Sequence, residues 1–205
     1  MADQYQSFDA LKQAETEGAD FRIRSHERHS GVVVIAPHAG GIEPGTSELA
    51  ESIAGPDLSF YAFEGMKRVG NRQLHITSTR FDEPRCLALL ARAERVIAIH
   101  GEDSKDPVVY LGGLYADGIE RLRKALVGRD FNVRTDGPVH LHGTSPANVC
   151  NRGTSRAGIQ LELSDGLRRT FFRDLTRTGR QVVTPRFYHF VEGVREGVLT
   201  QDVRG

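Results

Sequence analysis

Apolar positions along this chain follow two alternating rhythms. Short β-branched runs, GVVVIAP (31–37) and RVIAI (95–99), are apolar at nearly every position, as in strands covered on both faces. Residues 20–24, LSFYAF (58–63), LHIT (74–77), VVYL (108–111), FNVRT (131–135) and GIQLEL (158–163) predict further strands. Between them lie segments with helical spacing: 7–15, 46–54, 84–93, 115–128, FRDLTRTGR (172–180) and RFYHFVEGVREGVL (186–199). Thr46 or Ser47 can cap the second of these, Glu48 favours its positive end and Gly55 can close it. Strands alternating with helices predict an α/β sandwich, an open mixed and largely parallel sheet flanked by helices. No repeat, linker or low-complexity tract interrupts the pattern, so one domain over 1–205 is expected.

In such sheets, sites form where strands end and loops begin. Two buried-strand patterns run straight into a histidine. VVVIAPHAGGIEPGTSE leads to His38, with Glu43 five residues on and Gly40 and Gly41 between them; RVIAIHG leads to His100. The two glycines let the loop fold tightly enough to turn both side chains toward one point. Two His and one Glu around an open position form the ligand set of a hydrolytic zinc site. Each histidine alone reads better as a core residue bonded to backbone; two at strand ends with a glycine-linked carboxylate reverse that preference. In GIQLELS the three apolar residues share one strand face, and Gln160 and Glu162 share the other. A carboxylate in a core strand needs compensation, and burial raises its pKa toward the range of a general base. The competing reading is a structural ion pair to an arginine.

Three weaker candidates follow. Asn151 and Arg152 stand side by side before that strand, and an amide beside a guanidinium can grip a carboxylate. LHITSTRFDEPR (74–85) gathers His75, Thr77, Ser78, Thr79 and Arg80 in a polar segment that could line a cleft. His140 and His142, at H-x-H spacing, would share one strand face as a rival metal pair.

Composition changes this picture little. The chain has 205 residues, 39% of them hydrophobic, and a formal net charge of zero. No nucleic-acid or membrane-surface partner is implied. The 27 basic residues comprise 23 Arg and 4 Lys, which suits carboxylate recognition but reads more simply as the mark of a GC-rich genome. Two cysteines, Cys86 and Cys150, exclude a disulfide framework, and no catalytic thiol is expected. The polar start lacks a signal peptide's apolar run, and no stretch approaches the about 20 apolar residues of a membrane span. A cytoplasmic monomer is the expectation.

APHAGGIEPGTSE, LHITSTRFDEP, VIAIHG and NVCNRG followed by GIQLELSDGLR together resemble the poly-γ-glutamate hydrolases of bacteriophages and bacteria, in the family's order over residues 21 to about 170. The resemblance implies a compact zinc-carboxypeptidase-like fold, one zinc per chain and endo-type cleavage of γ-linked polyglutamate. It also implies His38, Glu43 and His100 as zinc ligands and Glu162 as the base that activates water. Phage encoding would add release by host lysis. Ala39-Gly40-Gly41 stands where the family carries three glycines, and Arg80 where it carries histidine. Poly-γ-glutamate bears a free α-carboxylate on each residue, so cations are expected around the site. His75, Arg80, Asn151 and Arg152 are the candidates for substrate contact, with Arg156 in a bordering segment. The other readings are a zinc amidohydrolase acting on another anionic amide, such as a γ-glutamyl or N-acyl amino acid, and a polyanion-binding protein without turnover. An intact Glu162 argues against the last, since binding alone needs no base.

Overall fold

The structure, a computed structural model, describes residues 3–199. Seven strands form one sheet: β1 (Phe21–His26), β2 (Val32–Gly40), β3 (Ser59–Gly65), β4 (Arg95–Glu102), β5 (Val109–Gly113), β6 (Val133–Arg134) and β7 (Ile159–Ser164). Their order is β1-β3-β2-β4-β7-β5-β6. The central β3, β2, β4 and β7 run parallel, β5 pairs parallel with β6, and β1–β3 and β5–β7 are antiparallel. The sheet is therefore mixed and largely parallel, as the alternating pattern predicts.

Its two faces carry separate cores. Val34, Ala36, Ile97, Ile99, Leu161 and Leu163 pack against α2 (Thr46–Ala54), α4 (Ala116–Val127), α5 (Asp165–Phe171) and α6 (Pro185–Leu199). Val33, Ile35, Val96 and Ala98 pack on the opposite face against α1 (Phe8–Ala14) and α3 (Pro84–Leu90). Because side chains alternate along a strand, His100 follows Val96 and Ala98 onto this second face. Glu162, the Cα partner of His100 across the β4–β7 pair, lies beside it.

From β2 the chain passes through α2 to β3 on one side, then returns to form β4 on the other side of β2. The gap between the carboxyl ends of β2 and β4 is thus a topological switch point, where open α/β sheets bind ligands. The β2–β3 register slips between Ala36 and Ala39. Pro37 lacks the N–H for a regular ladder, and this bulge absorbs it while re-aiming His38.

Local chemistry overrode the sequence reading in four places. The strand expected at 74–77 is a 3₁₀ turn, Asn71–Leu74, running into extended loop. Its backbone groups are taken by side chains instead: the Ile76 carbonyl by His38, the Thr77 N–H by Asp3. The helix expected at 172–180 lies earlier, as α5, because the Ser164 hydroxyl caps it by accepting from the Leu167 N–H at 2.9 Å. His140 sits on a 3₁₀ turn, Val139–Leu141, and His142 just after it, not on a strand face, and His142 bonds the Gly137 carbonyl. Finally, α2 starts at Gly45 (φ 101°) without a side-chain cap. Thr46 and Ser47 turn back instead to the Glu43 carbonyl and the Gly40 N–H.

Candidate active site

At the carboxyl ends of β2, β4 and β7 lies a cavity of about 950 Å³, whose lining includes His38, Glu43, His75, His100 and Glu162. The loop after β2 builds its first side. Gly40 has φ 69°, and a Cβ there would stand 2.6 Å from the Gly65 carbonyl, so glycine is required. The turn closes through Glu43 N–H to the His38 carbonyl at 2.9 Å, bringing the two side chains together.

Three side chains with candidate ligand atoms converge there. His38 Nδ1 lies 3.1 Å from His100 Nδ1 and 3.2 Å from Glu43 Oε1, and His100 Nδ1 lies 3.8 Å from Glu43 Oε2. Glu43 Oε2 also accepts the Gly101 N–H at 2.8 Å. His38 Nε2 stands 2.8 Å from the Ile76 carbonyl, which accepts only from an N–H. Nε2 therefore carries a proton, and in a neutral ring the Nδ1 lone pair would face a carboxylate oxygen, the form that can bind a metal. Atoms so close call for positive charge between them, which a metal ion can supply. Ligands about 2.0–2.2 Å from a tetrahedral zinc lie roughly 3.3–3.6 Å apart, so the donor set fits such an ion. His75 borders the cluster: its ring centroid is 4.0 Å from that of His38, and its Nε2 is 4.0 Å from Glu43 Oε1. One ligand atom each from His38, Glu43 and His75 lie within 4.8 Å of one another, a spacing that could hold a metal ion. The sequence reading gave His75 only a substrate contact.

The two carboxylates are driven apart in pKa. Burial works to raise Glu43, but His38 and His100 outweigh it and hold the group ionised. Burial pushes Glu162 well above the ordinary carboxylate range, and the nearby negative charge of Glu43 adds to the rise. Its Oε1 accepts from Gln160 Nε2 at 2.9 Å. Such divergence between neighbouring carboxyls is how a site separates a permanent anion from a proton acceptor. Burial lowers His75 to about 4, with His38 adding to the fall.

The remaining substrate candidates do other work. Asn151 is buried; its amide donates to the Gly143 and Ser145 carbonyls and accepts from the Leu114 and Gly158 N–H groups. Arg152 spends its guanidinium on the carbonyls of Thr79, Phe81 and Ala147. This pair braces loops and does not line the cavity, so the carboxylate grip expected of it is corrected. Arg80 reaches Asp3, and Arg156 is an exposed loop residue.

Arg168 was missed by the sequence reading. Buried in α5, it donates to the carbonyls of Leu163, Pro44 and Glu102 at 2.8–3.1 Å. Leu163 follows Glu162, Pro44 follows Glu43, and Glu102 lies two residues beyond His100. One guanidinium thus ties together the three segments that carry the site. Gly101 makes room for it, since a Cβ there would stand 2.7 Å from Arg168 Cζ. Each carbonyl orphaned in Arg168→Met costs about 1–3 kcal/mol. A melting temperature at least about 5 °C lower is expected in calorimetry; unchanged melting would show the tie to be dispensable.

The sequence profile of the family described as poly-gamma-glutamate hydrolase matches residues 5–193. The chain belongs to the poly-γ-glutamate hydrolase family. It is 40% identical over 196 residues to the UPF0714 protein YndL of Bacillus subtilis (strain 168), covering 93% of this chain and 75% of that protein. The SPbeta prophage-derived UPF0714 protein YoqZ of the same organism is 37% identical over 180 residues, 87% of this chain and 65% of its own. A bacteriophage poly-γ-glutamate hydrolase structure superposes with a TM-score of 0.93 at 32% identity, covering 96% of each chain. An apo, zinc-free structure of YndL superposes with a TM-score of 0.91 at 37% identity, covering 97% of this chain and 98% of that one. The chain is thus a hydrolytic enzyme. Among the described residues, no helix is long and apolar enough to cross a membrane.

Proposed function

We propose that this family member cleaves γ-glutamyl amide bonds of poly-γ-glutamate with a zinc ion held by His38, Glu43 and His100 and with Glu162 as general base. The observation that carries the reading is the convergence of His38 Nδ1, His100 Nδ1 and the Glu43 carboxylate beside a second carboxyl of opposite pKa tendency. A zinc ion held there supplies Lewis acidity, polarising the scissile carbonyl and acidifying water.

The chain's own groups do the rest. The Ile76 carbonyl fixes the His38 tautomer, and the Gly101 N–H fixes the Glu43 carboxylate. Gln160 occupies Glu162 Oε1, leaving Oε2 to accept the proton of the attacking water. Protonated Glu162 then returns that proton to the departing amine. Cys86 and Cys150 take no part: both are buried free thiols, and burial pushes Cys150 up to about 12 and Cys86 well above its ordinary value.

Incubation with γ-linked and α-linked polyglutamate, with polymer length measured over time, tests the reading. Shortening of the γ-linked polymer alone is expected, stopped by a chelator and untouched by a thiol-blocking reagent. Equal cleavage of the α-linked polymer would remove the substrate assignment, and chelator-resistant, thiol-sensitive cleavage the metal mechanism.

A further inference from the structure

Asp3 lies ahead of the span that matches the family profile, yet its side chain is only 4% exposed. Three donors from one distant segment converge on it. His75 Nδ1 meets Oδ1 at 2.7 Å, while the Thr77 N–H and Arg80 Nη2 meet Oδ2 at 2.7 and 2.6 Å. Five residues on, the Phe8 N–H donates to Asp82 Oδ1 at 2.6 Å. Residues 3–8 are therefore strapped along residues 75–82 at both ends. Between the Asp3 contacts at His75 and Thr77 stands Ile76, whose carbonyl receives His38 Nε2. Burial favours the neutral form of Asp3, but the Thr77 and His75 hydrogen bonds outweigh it and keep the carboxylate ionised.

A carboxylate accepts and cannot donate, so the His75 nitrogen facing Asp3 carries a proton. In a neutral ring the other nitrogen, Nε2, then bears a lone pair, and it looks toward Glu43 across the cavity. We propose that Asp3 is a positioning residue for the hydrolysis, holding His75 so that Nε2 is a hydrogen-bond acceptor for a substrate N–H. The N-terminal strap is thereby part of the active site. This rests on the cavity being the hydrolytic site argued above.

Asp3→Asn is the informative change. It keeps size and can still accept from Thr77, but its amide can turn a donor toward His75 and select the other tautomer. A carboxylate-to-amide exchange behind a catalytic histidine in a serine protease costs about 10⁴-fold by this route; His75 is one contact among several here, so a fall of about tenfold or more in kcat is expected. Zinc content stays at the wild-type level. In a His75→Ala background the same change at Asp3 alters kcat less than about twofold, because its route is gone. A role confined to anchoring the strap would give the same factor in both backgrounds and overturns the inference, as does near-normal kcat in folded Asp3→Asn. Ring-nitrogen NMR of the wild-type protein provides a check independent of turnover and of variant folding. Protonated Nδ1 and unprotonated Nε2 at His75 are expected, and the reverse tautomer overturns the assignment. Wild-type protein that leaves γ-polyglutamate intact would instead overturn the hydrolytic reading together with this one.

Discussion

Glu162→Gln is expected to lower turnover by at least about 100-fold while zinc content, substrate affinity and melting temperature stay near wild type. General-base assistance contributes typically 10²–10⁴-fold, about 3–5 kcal/mol of barrier. The substitution is nearly isosteric, and a glutamine oxygen still accepts from the Gln160 amide that now meets Glu162 Oε1. Stability should survive because the group touching this carboxylate is a neutral amide. The structural arginine pair considered from the sequence is not what holds it. Removing the charge also relieves the unfavourable neighbourhood of Glu43 that helps raise the pKa of Glu162. The sign of the pH dependence follows. A raised pKa keeps the group protonated further up the scale, so wild-type turnover falls as pH drops and Glu162 takes up a proton. Steady-state rates, elemental analysis and calorimetry on the same preparation check these points. Near-normal turnover in folded Glu162→Gln would remove Glu162 from the mechanism.

The meeting of His38, Glu43, His100 and Glu162 at one end of the sheet could be read from the sequence because local rules place them. Two are strand-end histidines, one is linked to the first by glycines, and one sits on the face opposite a leucine row. The parallel centre of the sheet was legible for the same reason, since buried strands declare themselves as apolar runs. What the chain hides is contact between distant segments. Asp3 reads as one polar residue in a polar start until the fold lays it on His75, 72 positions away. Arg168 reads as one arginine of many until its fork meets the Pro44 carbonyl, 124 positions away. Asn151-Arg152 misled in the other direction, because buried carbonyls compete for the same donors as a substrate carboxylate. The segment 74–77 has strand composition, but among the described residues no neighbouring strand takes its hydrogen bonds; His38 and Asp3 do. The helix expected at 172–180 lost to a Ser-Asp start at 164–165, a capping signal that apolar spacing alone does not register.

His38→Ala and His100→Ala should each strip the protein of zinc and abolish cleavage, whereas His75→Ala should keep the metal. The donor geometry decides the order. The Nδ1 atoms of His38 and His100 stand 3.1 Å apart and lie 3.2 Å from Glu43 Oε1 and 3.8 Å from Glu43 Oε2 respectively, close to the separation around a tetrahedral ion, while His75 Nε2 stands 4.0 Å from Glu43 with its Nδ1 committed to Asp3. Loss of one imidazole leaves two protein donors, and a hydrolytic zinc site needs three. The change should also appear without any turnover assay. A ligand that binds only the folded state stabilises it by about 4 kcal/mol at 1,000 times its dissociation constant. Adding zinc should therefore raise the melting temperature of wild type and His75→Ala by several degrees, and leave His38→Ala and His100→Ala where they were. Full metal content in both His38→Ala and His100→Ala would sink the assignment. Metal retained in His100→Ala but lost in His75→Ala would transfer the third position to His75, whose spacing from His38 and Glu43 also admits an ion. Asp3 would then stand behind a metal ligand, the carboxylate–histidine arrangement that orients such rings in zinc sites.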